Sequence, residues 1–155
     1  MSDPYLLLRL IHILSATLLF GTGLGTAYFL WRANRSGDVA AIARTARHVV
    51  TADWLFVAGP GVIQLATGAA LVEVAGYSWD EGWILLALGL FLLAFVCWLP
   101  VVGLQMRMRD LAEAARDRGE ALPAAYARLA RAWFLLGWPA FIAMIGIYTL
   151  MVFRP

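Results

Sequence analysis

Long apolar stretches separated by short polar ones dominate this chain, and four of them are long enough to cross a membrane. Tyr5–Leu30, Val49–Val74, Gly82–Val102 and Trp133–Phe153 each supply the ~20 apolar residues a helix needs to traverse hydrocarbon. The pattern predicts an all-α fold, a four-transmembrane-helix bundle forming one domain over residues 1–155, with helical cytoplasmic extensions. The first two stretches exceed the minimum, which predicts tilt or projection beyond the bilayer.

The polar connections carry helix signals of their own. Asp38 follows Ser36-Gly37 and is placed to cap a helix starting at Val39. Leu104, Met108, Leu111 and Ala115 fall at helical spacing beside Arg107, Arg109, Glu113 and Arg116. After Gly119, Pro123 opens a second stretch with Leu122, Tyr126, Leu129 and Trp133 on one face. Gly59-Pro60-Gly61 and Pro139 predict a weakening or kink in the second and fourth spans.

Composition agrees with a membrane protein. Of 155 residues, 63% are hydrophobic and 14% charged, against roughly a quarter charged in a soluble domain. The formal net charge of +2, with no basic cluster interleaved with aromatics, excludes a nucleic-acid partner. The lone Cys97 leaves no internal disulfide and reads as a small packed hydrophobe. No cleaved signal peptide is expected, because no basic region precedes the first apolar run and that run is too long.

All 12 basic residues are arginine, and their placement predicts orientation. Arg32, Arg35, Arg44 and Arg47 separate spans one and two; Arg107, Arg109, Arg116, Arg118, Arg128 and Arg131 separate spans three and four. The connection from Glu73 to Glu81 has no basic residue. The positive-inside rule then predicts a bacterial cytoplasmic (inner) membrane protein with both termini outside the cytoplasm. Tyr5, Tyr77, Trp79 and Trp83 would form the outer aromatic belt and Trp31, Trp98 and Trp133 the inner one.

Candidate chemistry centres on His12, a titratable side chain inside an apolar span, where such groups are expensive. A neutral imidazole there is either a hydrogen-bonded structural group or a metal ligand. It lies about 10 Å inside the outer start of its span, at ~1.5 Å per residue. The same depth in the other spans falls near Thr67 or Gly68, Gly89 and Gly146. These glycines read either as tight helix contacts or as a flat slot suited to a porphyrin. Met144 and Met151 lie on one face at that level and are candidates for a second axial ligand of a b-type haem. Arg9 shares the His12 face, placed to pair a propionate, to snorkel outward, or to pair Glu73 or Asp80. His48 lies at the opposite end of the membrane, so two histidines of this chain do not meet one iron. His48 and Asp53 read as structural, Asp53 at the positive end of the helix dipole. Gly21-Thr-Gly-Leu-Gly25 follows no strand, so it is a small-xxx-small contact surface rather than a dinucleotide fingerprint.

The run Leu8-Arg-Leu-Ile-His12-Ile-Leu14, the Val49–Trp54 segment, Gly82-Trp83, Trp98-Leu-Pro-Val101 and Gly137-Trp-Pro-Ala140 together resemble an uncharacterised family of bacterial predicted integral membrane proteins, over essentially the whole chain. More distantly, the order of a first-span His, a Pro-Gly in span two and a Gly-Trp opening span three resembles HemJ-type protoporphyrinogen oxidases and copper-resistance D membrane domains. The HemJ-type resemblance implies haem b at His12. That type carries a His and a Lys after the Gly-Trp, where Ile84 to Leu88 is entirely apolar here, so the oxidase chemistry does not carry over.

Three function classes stay open: a haem b protein acting through His12, a non-catalytic membrane accessory or scaffold, and a copper or small-solute transporter. The absence of paired intramembrane carboxylates and of internal symmetry weighs against transport. Partners are the lipid bilayer, with a membrane redox protein or a second copy of the chain as candidates.

Overall fold

A computed structural model describes residues 3–154, and every regular element in it is helical. Helix α1 spans Asp3–Ser36, α2 Val39–Asp53, α3 Gly59–Ala75, α4 Gly82–Arg118 and α5 Ala124–Phe153. A five-residue π-helical segment, Trp54–Ala58, joins α2 to α3, so Val39–Ala75 is one continuous rod. Four rods are thus long and apolar enough to cross a membrane.

The π segment stands where the sequence predicts a kink. Pro60 has no N–H to offer the carbonyl of Phe56, and its ring crowds that turn. The helix accommodates this by widening the turn just before Gly59 rather than by breaking.

Local signals set the ends of the rods. Asp38 Oδ1 accepts from the backbone N–H groups of Ala40 at 2.9 Å and Ala41 at 3.2 Å, the expected N-cap. Gly119 closes α4 at φ +65° and Gly76 closes α3 at φ +74°, left-handed conformations that glycine adopts without a Cβ penalty. The predicted extensions are therefore direct continuations of α1, α4 and α5.

The two halves of the bundle pack differently. Leu30, Ile42, Ala43, Ala46, Val49, Val101, Met108, Ala112, Tyr126 and Trp133 form one buried cluster at the arginine-rich end. Small side chains at Ala43, Ala46 and Ala112 allow α2 and α4 to approach closely there. Tyr126 donates from its hydroxyl to Asn34 Oδ1 at 2.6 Å, tying the start of α5 to the end of α1, and Arg47 pairs Glu113 at 2.7 Å across α2 and α4. Trp133 lies in this core rather than in an interfacial belt, because it is the last member of the apolar stripe begun by Leu122 and Tyr126.

Toward the other end the rods pair off. α1 stays on α3 and α4 stays on α5, while the backbone of α3 stands apart from those of α4 and α5. α1 meets α5 near Phe20, whose ring stacks edge-on against Phe141 and Tyr148 at 5.9 and 5.6 Å. Beyond that aromatic contact the two pairs enclose a cleft.

Candidate functional site

The cleft has a volume of about 590 Å³, and its wall is almost entirely apolar. α1 contributes Tyr5, Arg9, His12 and Ala16; α3 contributes Gln64, Gly68 and Val72; Ala87 and Phe91 come from α4, and Met144, Tyr148 and Met151 from α5. A void of this size falls within the ~300–1,000 Å³ of small-molecule sites.

Its polar wall is a chain of hydrogen bonds between α1 and α3. The Thr67 hydroxyl donates to the Ile63 carbonyl at 2.7 Å, so its oxygen is left to accept from His12 Nδ1 at 2.9 Å. That places the imidazole proton on Nδ1 and leaves Nε2 as an acceptor. Gln64 Nε2 donates to His12 Nε2 at 2.9 Å, and Gln64 Oε1 accepts from the Ser15 hydroxyl at 2.5 Å. The Ser15 hydroxyl also lies 2.9 Å from the His12 main-chain carbonyl. Donors and acceptors therefore run in one direction from Ser15 through Gln64 and His12 to Thr67 and the backbone of α3. Ser15 and Thr67 are buried behind the wall, and His12 and Gln64 form its cleft-facing part.

Ser15 and Gln64 are members of this hydrogen-bonded wall that the sequence reading did not single out. Their signal was present: His12 and Ser15 on α1, and Gln64 and Thr67 on α3, are polar pairs at i, i+3 in otherwise apolar stretches. Two such pairs on neighbouring spans are complementary to each other.

Of the residues singled out in the sequence, Arg9, His12, Gly68, Met144 and Met151 come together on this one cleft. Gly68 lies against the imidazole itself: a methyl group built there would sit 3.2 Å from His12 Cε1. Gly89 and Gly146 are outside the cleft wall. A methyl group on Gly146 would meet Leu90 Cδ1 at 3.0 Å, and one on Gly89 would meet nothing within 4 Å. Equal depth along parallel spans implies facing residues only where the spans touch, and α3 is splayed from α4 and α5. Among these three glycines, only Gly68 faces the cleft.

Haem b is the group that the more distant resemblance implies at His12. Cleft volume, two methionines and Arg9 suit the outline of a porphyrin. The donor does not fit: Nδ1 gives its proton to Thr67 and the Nε2 lone pair is held by Gln64, so His12 as arranged has no electron pair for iron. Among the described residues, no three His, Cys, Asp or Glu side chains converge as a metal cluster.

A sequence profile of one family, described as predicted integral membrane proteins (DUF2269), matches residues 6–155. The chain belongs to this family. Membership accords with four spanning helices and assigns the DUF2269 chain no activity. No curated protein and no solved structure gave a match. The likeness to HemJ-type oxidases and copper-resistance membrane domains is not shown by these comparisons.

The cleft mouth lies beside the turn from Gly76 to Glu81, where every acid is engaged locally. Glu73 accepts from the Trp79 indole at 2.6 Å and Glu81 from the Trp83 indole at 2.6 Å. The Ser78 hydroxyl bonds Asp80 and, with the backbone N–H of Asp80, holds that carboxyl below the ordinary carboxylate range. The sequence alternative of an Arg9 pair with Glu73 or Asp80 is not formed. His48 is exposed at the far end of the molecule, and Asp53 and Gln105 are both buried.

Proposed function

We propose that this is a ligand-binding accessory protein of the membrane, which takes one small apolar molecule into the cleft between the α1–α3 and α4–α5 pairs. The observation that carries this reading is an apolar cavity of about 590 Å³ whose one polar wall already has its hydrogen bonds satisfied. A satisfied wall sets no unmet polar group against an apolar ligand, and the apolar remainder supplies the affinity. The arginine asymmetry supports placing the tightly packed end in the cytoplasm of a bacterium and the cleft in the outer half of the inner membrane.

The test uses purified protein in neutral nanodiscs and the uncharged fluorophore phenylnaphthylamine, read by emission sensitised from tryptophan. Saturable one-to-one binding is expected, and Ala87→Phe, which fills the α4 wall, should abolish it while the helical circular dichroism is unchanged. Signal that rises linearly with probe in both proteins, as from partition into lipid, would contradict a cavity site. Haem b requires Gln64 to release Nε2. A Soret band in the purified protein, lost in His12→Ala, would replace the present reading with that one.

A further inference from the structure

The cleft wall is apolar along its length, and among the described residues the charged side chains that line it are two arginines near its mouth. Arg9, one turn outward from His12 on α1, and Arg154, just past the end of α5, both line it. Neither forms an ion pair among the described residues. The nearby acids keep their charge but do not line the cleft: Glu73 and Glu81 accept from indole N–H groups and Asp80 from Ser78, outside its wall. Arg154 is also fixed in place. Its guanidinium donates to the Tyr77 hydroxyl at 2.5 Å and stacks over the rings of Tyr77 and Trp83 at 5.6 and 5.9 Å. A planar fork held by aromatic faces keeps N–H donors for an anion and loses little entropy in binding it.

We propose that the natural occupant is a single-chain amphiphile with an anionic head, its apolar chain in the cleft and its carboxylate or similar group between Arg9 and Arg154. This rests on the ligand-binding reading above and adds the chemical class of the ligand. Charge complementarity argues for the anion. Size argues for one chain: a cleft of about 590 Å³ is on the scale of a drug-sized molecule.

Tryptophan quenching in phosphatidylcholine nanodiscs tests this with dibrominated stearate, its methyl ester and a dibrominated two-chain phosphatidylglycerol as probes. The acid is expected to quench saturably and to bind about tenfold more tightly than the ester, the scale of one charge-assisted contact. Arg9→Gln and Arg154→Gln should each erode that preference, and Arg154→Lys should restore part of it. Arg107→Gln, at the opposite end, should leave it intact. Equal affinity for acid and ester overturns the anionic head while leaving the cavity reading in place. No saturable quenching by either overturns both. Equal competition by the two-chain lipid overturns the single-chain assignment.

Discussion

Met108→Ala should destabilise the protein by about 2–5 kcal/mol, the range for truncating a buried Met to Ala. Met108 is wholly buried in the cluster at the arginine-rich end, on the apolar stripe of α4. Its cluster already includes Ala43, Ala46 and Ala112, side chains too short to swing into the space it would vacate. The cavity should therefore persist, which puts the loss toward the upper part of the range. Met108→Leu conserves volume and should cost less than about 1.5 kcal/mol. Met106→Ala, exposed on the same helix, should stay within about 0.5 kcal/mol of the parent. Equilibrium unfolding in detergent, followed by helical circular dichroism, measures all three. A Met108→Ala protein as stable as Met106→Ala would mean that this cluster is not what holds the rods together.

Gln64→Leu should destabilise the protein by breaking the hydrogen-bond chain of the cleft wall. Leucine matches the bulk of glutamine but withdraws the donor from His12 Nε2 and the acceptor from Ser15. Ser15 can fall back on the His12 carbonyl, whereas Nε2 has no second protein partner. A buried group left without its partner costs about 1–3 kcal/mol, and interhelical hydrogen bonds within membranes fall toward about 0.6–2 kcal/mol. About 1–2 kcal/mol is expected here. His12→Leu should cost a similar amount, since it strands Gln64 and Thr67 instead. The double variant His12→Leu/Gln64→Leu should cost clearly less than the two singles added, because the second change removes a group the first had already stranded. Strict additivity in that cycle would show that the two side chains do not bond each other.

Much of the fold was legible because its determinants are local. Runs of apolar residues give the four rods, Asp38 gives a cap, and Gly119 gives a helix end; each acts within a few residues of chain. The predicted stripes of Leu104, Met108, Leu111, Ala115 and of Tyr126, Leu129, Trp133 likewise face the core, because amphipathic periodicity survives where a helix has one wet side. That periodicity vanishes in the spans, where lipid and protein are equally apolar. Nothing in the pattern of Val62, Leu85 or Ile142, all large and exposed, says which face a neighbour covers. The splay of α3 from α4 and α5 was hidden for that reason, and the glycine register drawn across the spans went with it. His12 was conspicuous as a lone imidazole. Its partners were harder to see, since Gln64 and Thr67 lie 52 and 55 residues away and look ordinary on their own helix.

The direction of the hydrogen-bond chain through His12 is what separates a satisfied wall from a metal-ligating imidazole, and the ring's own nitrogens report it. Histidine-selective ¹⁵N labelling with His48→Gln leaves a single imidazole to observe in the membrane-reconstituted protein. The expected spectrum is that of a neutral ring carrying its proton on Nδ1, with Nε2 unprotonated and in contact with the Gln64 amide. A ring protonated at Nε2, an imidazolium at neutral pH, or an Nε2 resonance displaced by a bound metal would contradict it.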